Sequence, residues 1–143
     1  GRPVTEASEL CHLLSFPEVS ELGEEVEARC PPLPSAELAT QMREWLLEVV
    51  AGFDQRFVEL CLIFVTGKRT LSALRTGGDD RDALLVCLYQ GGGEIMTAGT
   101  CSRIWYVPWV PHTTRGSLEQ EIRDALLYFE KERETGSAAL HYD

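Results

Sequence analysis

The segment Pro31-Pro32-Leu33-Pro34 limits what this chain can fold into more than any other stretch. Proline locks its own φ, has no backbone N–H to donate, and pushes the residue before it toward extended conformations. Such a run excludes both a helix interior and a central strand. It predicts a short, stiff linker at 31–34, dividing the chain into an N-terminal stretch (1–30) and a larger unit (35–143).

Hydrophobic spacing predicts the elements on either side. Residues 5–14 read as a short helix with Leu10, Leu13 and Leu14 on one side, and Val19, Leu22 and Val26 mark one face of a second amphipathic piece ending at Cys30. After the linker, Ser35 suits an N-cap, and Leu38, Met42, Trp45, Leu46 and Val49 recur at helical spacing until Gly52. Asp54 predicts the cap of a further helix over 55–64, apolar on most faces and ended by Thr66-Gly67-Lys68. Residues 69–82 are loop-like. Residues 83–90 form an apolar run suited to a buried strand, ended by Gly91-Gly92-Gly93, and 102–109 predict a second strand. Ser117 and Gln120 match a capping box ahead of the stripe Leu118, Ile122, Leu126 and Phe129, with a frayed tail after Glu130. The order predicts an α+β fold, a small β-sheet packed with helices and preceded by a short helical segment.

Charge removes some classes of partner. The 143 residues carry 13 Lys and Arg against 23 Asp and Glu, a formal net charge of −10. A nucleic-acid binder needs a cationic footprint, and an anionic membrane surface repels an acidic chain, so neither partner is expected. The longest apolar stretch, 60–65, is far too short to span a bilayer, and no signal peptide is expected from the N-terminal pattern. The five cysteines (Cys11, Cys30, Cys61, Cys87, Cys101) are odd in number, with no Cys-x-x-Cys pair. That argues against disulfides and against a structural zinc, and predicts a reduced, cytoplasmic or nuclear setting. No cofactor and no metal is expected.

Chemistry concentrates on one thiol. Cys61 and Cys87 lie in apolar runs and read as core. Cys101 instead sits among small polar neighbours, Ala98-Gly99-Thr100-Cys101-Ser102, next to a glycine-rich loop. Local sequence leaves two readings open, a nucleophilic thiol or a semi-exposed structural cysteine. His112 is close enough in sequence for a Cys-His pair, although an exposed loop histidine is the commoner case. Thr66-Gly67-Lys68 lacks the first glycine of a phosphate loop and reads as a helix-ending turn. Asp79, Asp80 and Asp82 do not match a calcium loop, and the acidic run 21–27 reads as a solvated helix face.

A set of ordered motifs resembles the catalytic C-terminal lobe of HECT-type ubiquitin ligases. Thr100-Cys101 is followed by a short strand ending in Val107-Pro108, and then by a helix with Leu118, Ile122 and Leu126. Upstream, 57–67 reads Phe-Val-Glu-Leu-Cys-Leu-Ile-Phe-Val-Thr-Gly, similar to the family's apolar helix ending in Thr-Gly. The resemblance covers roughly residues 5–130. It makes 1–30 a helical remnant of the N-lobe, 31–34 the hinge and 35–143 the C-lobe. It implies that Cys101 accepts ubiquitin as a thioester and passes it to a substrate lysine, with Thr100 orienting the loop or the sulfur. The implied partners are ubiquitin, a protein substrate and a ubiquitin-conjugating enzyme, the last held mainly by N-lobe sequence that this chain mostly lacks. The sequence also departs from the family. Gly99 stands where His is frequent, Ser102 where Phe is usual, and Leu140-His141-Tyr142-Asp143 where a Phe is frequent near the end. The alternative function is a ubiquitin-binding or scaffold module with the same fold and without the chemistry.

Overall fold

The computed structural model describes residues 2–71, 83–91, 96–109 and 114–135. Within them the chain is α+β. Its helices are α1 (Ala7–Leu13), α2 (Glu24–Arg29), α3 (Ala36–Ala51), α4 (Gln55–Thr66) and α5 (Arg115–Glu134). The strands are β1 (Arg2–Pro3), β2 (Leu14–Ser15), β3 (Thr70–Leu71), β4 (Leu84–Tyr89), β5 (Thr97–Gly99) and β6 (Ile104–Pro108). β1 and β3 form a small antiparallel pair, and the others form a four-stranded sheet in the order β2-β4-β6-β5. In that sheet β2, β4 and β6 run parallel, and β5 is antiparallel to β6.

The two strongest helices begin where their caps dictate. The Ser35 hydroxyl accepts the Leu38 amide at 3.1 Å, and the Asp54 carboxylate accepts the Phe57 amide at 3.0 Å. Each satisfies one of the amides that a helix start leaves without a partner, and removing such a cap costs about 1 kcal/mol. α4 ends at Gly67, whose left-handed backbone (φ 77°) turns its amide onto the Ile63 carbonyl at 2.7 Å. Thr66-Gly67-Lys68 is therefore a helix-ending turn, as its sequence indicates.

Alternation along the strands builds two cores. Leu84, Val86 and Leu88 of β4, with Trp105 and Val107 of β6, enter the main core among α1, α3, α4 and α5. Leu85, Cys87 and Tyr89, with Ile104 and Tyr106, face the other way. The register agrees, pairing Val86 with Trp105 and Cys87 with Tyr106. Residues 17–30 cover that second face, placing Val19, Leu22, Val26 and Cys30 on it. A strand covered on both faces reads as a continuous apolar run, which is what the sequence of β4 shows.

The N-terminal stretch departs from a purely helical segment. α1 stops at Leu13, and Leu14–Ser15 leave it to pair in parallel with Leu84–Leu85. This places β2 at the sheet edge, where two residues of ladder are enough. The second amphipathic piece is broken, with a 3₁₀ turn over Val19–Glu21 and α2 separated by Gly23 at φ 107°. The apolar face persists across the break because Val19, Leu22 and Val26 all reach the same cluster. Val4 and Leu10 are fully buried in the main core beside Met42, Leu46 and Leu126. Residues before the prolines thus contribute to both cores. The linker itself is neither helix nor strand, and Leu33 packs on the main core.

α5 starts one turn earlier than the capping-box pattern indicates. Thr114 is the N-cap, accepting the Ser117 amide at 3.1 Å, so Ser117 occupies the first turn. Gln120 bonds Asp124 instead of reaching back. The helix runs on to Glu134, past the expected fraying point at Glu130. Its stripe of Leu118, Ile122, Leu126 and Phe129 is buried, with Phe129 edge-on to Phe64 at 5.2 Å. No helix among the described residues is long and apolar enough to cross a membrane.

Candidate functional site

Cys101 lies in the turn of a hairpin that the sequence alone does not reveal. Thr97-Ala98-Gly99 has little strand propensity, yet it forms β5 and pairs with Ile104-Trp105-Tyr106. The connection is the four residues Thr100, Cys101, Ser102 and Arg103. The Ser102 amide donates to the Gly99 carbonyl at 3.2 Å, and the Arg103 amide to the Thr100 carbonyl at 3.4 Å. Arg103 adopts φ 57°, the left-handed step that returns the chain into β6. The strand expected over 102–109 therefore starts later, because Ser102 and Arg103 belong to the turn with Cys101, and β6 begins at Ile104. Thr100 closes the turn through its carbonyl, so the two residues singled out by sequence do share one loop.

The hairpin is held from three sides. The Trp105 indole is fully buried and donates to the Met96 sulfur at 3.2 Å. The Arg103 carbonyl accepts the Leu85 amide at 2.8 Å, tying the turn to β4. Arg29, at the end of α2, donates from Nη2 to the Thr97 hydroxyl at 2.6 Å, and its guanidinium lies 4.0 Å from the Tyr106 ring centre. Tyr106 stands edge-on to Tyr89, 6.4 Å away between centroids. Gly99 has open space where a Cβ would project, so its lack of a side chain is not a packing requirement.

All five cysteines are reduced, and their environments separate them. Cys101 is exposed, Cys11 half-buried, and Cys30, Cys61 and Cys87 buried. The Cys11 sulfur points to the Leu47 carbonyl at 3.7 Å, and burial pushes its thiol up from the ordinary value. Burial pushes Cys61 up strongly, with a smaller repulsion from Cys11. Cys87 is raised by its contact with the Cys30 thiol and by burial. Cys30 goes the other way, lowered by the Cys87 thiol and by Arg29 against the effect of burial.

His12 is a surface group whose Nδ1 lies 2.8 Å from the Ser8 carbonyl. His112, His141, the aspartates at 79, 80 and 82, and the terminal Leu140, Tyr142 and Asp143 lie outside the described residues. Among the described residues no group of three or more His, Cys, Asp or Glu gathers where it could hold a metal ion. Glu24, Glu25 and Glu27 are exposed along α2, a solvated face. No family model and no curated protein matches this sequence.

Proposed function

We propose that this chain is a ubiquitin-accepting lobe of the HECT type, in which Cys101 takes ubiquitin as a thioester and passes it to a substrate lysine. One observation carries the reading. Of the five cysteines, Cys101 is the exposed one, and it stands in the turn of a hairpin anchored by buried residues. A carrier thiol must meet two large partners in succession, the thioester of a conjugating enzyme and then an amine. A tight turn raised from a packed sheet suits that task, because the approaching carbonyl is not obstructed by neighbouring core.

The chemistry asks little of the surrounding groups. Exchange between thioesters is close to balanced, and a small thiolate fraction is already strongly nucleophilic. Positioning is then the main contribution. The Thr100 carbonyl and the Ser102 amide, fixed by the turn, hold Cys101 at the surface. The Cys101 sulfur attacks the thioester carbonyl, the conjugating enzyme's thiolate leaves, and the substrate amine later repeats the attack and frees Cys101.

The test incubates the protein with ubiquitin, activating enzyme and a charged conjugating enzyme, and maps the adduct. A reductant-sensitive ubiquitin bond on Cys101 is expected. Cys101→Ala should abolish it, and Cys101→Ser should trap a slower oxyester that resists reductant. An adduct on another cysteine, or undiminished transfer by Cys101→Ala, overturns the reading in favour of a binding or scaffold module.

A further inference from the structure

Cys30 and Cys87 have no part in transfer by Cys101, yet the fold brings them together from distant parts of the chain. Cys30 is the C-cap of α2, its amide bonded to the Val26 carbonyl at 2.9 Å, and it immediately precedes the prolines. Cys87 is in β4, an inner strand, on the face that α2 covers. They are 4% and 1% exposed and share one small cluster with Val26, Tyr89 and Ile104, where each thiol influences the ionisation of the other.

The two thiols are not equivalent. Cys30 lines an open groove of about 420 Å³ together with Phe16, Pro31, Leu33, Val86 and Leu88, whereas Cys87 does not line it. Small solutes therefore reach Cys30 first. The Cys87 thiol and Arg29 together favour the Cys30 thiolate, while Cys87 is held in its neutral form. The sulfur that lines the groove is thus also the one whose thiolate the Arg29 charge favours, while its enclosed partner is a neutral thiol.

We propose that Cys30 and Cys87 form a peroxide-responsive thiol pair: a hydroperoxide entering the groove oxidises Cys30, and Cys87 resolves it to a disulfide that fastens the stretch before the prolines to β4. In the first step the Cys30 sulfur attacks one peroxide oxygen. The O–O bond breaks, and the departing oxygen leaves as an alcohol, or as water from hydrogen peroxide, with the proton that Cys30 gave up. Cys30 becomes a sulfenic acid, and the peroxide is reduced by two electrons. In the second step the Cys87 sulfur attacks the Cys30 sulfur. The S–S bond forms, the S–O bond breaks, and hydroxide leaves as water with the Cys87 proton. The closed loop contains the linker, α3 and α4, so the bond restricts the unfolded chain and raises stability. This proposal is independent of the role of Cys101.

The experiment treats the folded chain carrying Cys101→Ser, which prevents crosslinks between molecules, with a small excess of hydrogen peroxide. Remaining thiols are alkylated under denaturing conditions, and the digest is mapped without reductant. A linked peptide joining Cys30 to Cys87 is expected, with a Tm rise of several degrees that dithiothreitol reverses. In Cys87→Ala, Cys30 should stop at the sulfenic acid, captured by a cyclic 1,3-diketone, with no rise in Tm. Linkage of another pair, over-oxidation of Cys30 without linkage, or no reaction of Cys30 overturns the proposal. Mapping of the chain with both cysteines decides the matter even if Cys87→Ala does not fold.

Discussion

Arg29 and Tyr106 are stacked, with the guanidinium 4.0 Å from the ring centre, and the same guanidinium donates to the Thr97 hydroxyl at 2.6 Å. One side chain thus joins the end of α2 to both strands of the hairpin that carries Cys101. Arg29 is exposed, so its contribution comes from this stacking and one hydrogen bond rather than from a buried charge. Arg29→Ala is expected to cost about 1 kcal/mol, read as a lower urea midpoint. Faster amide exchange should appear at 97–106. A midpoint unchanged within error would show that the contact is incidental.

Native-state alkylation should rank the cysteines. A limiting amount of a bulky maleimide should modify Cys101 first, Cys11 more slowly, and Cys30, Cys61 and Cys87 only on unfolding, following their exposure. Peptide mapping reads the order. The pair at 30 and 87 stays protected from this reagent because the maleimide, unlike hydrogen peroxide, is too large for a thiol 4% exposed.

Alkaline pH should destabilise the fold. Burial raises the folded-state pKa of Cys61 above its ordinary value of 9.0. Below about pH 9 both folded and unfolded chains keep this proton, and the contribution of burial is fully present. Above it the unfolded chain ionises while the folded one does not, so stability falls by up to about 1.4 kcal/mol per pH unit for each such thiol. Urea titrations between neutral pH and pH 10 should show this slope, and Cys61→Ala should flatten it. A wild-type slope no steeper than that of the variant would count against it.

Thr114, and not Ser117, should carry the N-terminal cap of α5. Thr114→Ala removes the acceptor for the Ser117 amide and should cost about 1 kcal/mol. Ser117→Ala keeps that amide and should cost less. Thermal melts of the two variants side by side check the ranking, and a reversed order would move the helix start back to the position the capping pattern favours.

Removal of residues 1–30 should prevent cooperative folding. The deletion takes Val4 and Leu10 from the main core, and Val26 and Cys30 from the cover over Cys87, Tyr89 and Ile104. Each fully buried apolar side chain contributes about 1.5–3 kcal/mol, comparable in sum with the whole stability of a domain of this size. Loss of near-ultraviolet circular dichroism and of a sigmoidal melt is expected. A deletion that still melts sharply would mean that residues 35–143 fold alone.

What local chemistry encodes was legible. Met42, Leu46 and Val49 mark a buried face because their spacing matches the helical turn, and Ser35 and Asp54 cap because a short oxygen-bearing side chain there meets a free amide. The unbroken apolar run of β4 announced a strand covered on both sides. Thr114 was hidden because Ser117, three residues on, fits the capping pattern equally well, and only the true start of the helix chooses between them.

The sequence by itself determined the α+β class, the helices α3 to α5, the buried strand β4, and the separation of Cys101 from the core cysteines. Tertiary structure alone decided that Thr97-Ala98-Gly99 is a strand, that Cys101 stands in its hairpin turn, and that Cys30 meets Cys87. The division has one physical cause. Helix periodicity and capping act within a few residues and leave their mark in composition. Short strands such as β2 and β5 have almost no preference of their own and form only where a neighbouring strand offers unpaired amides and carbonyls and a buried anchor such as Trp105 holds them there.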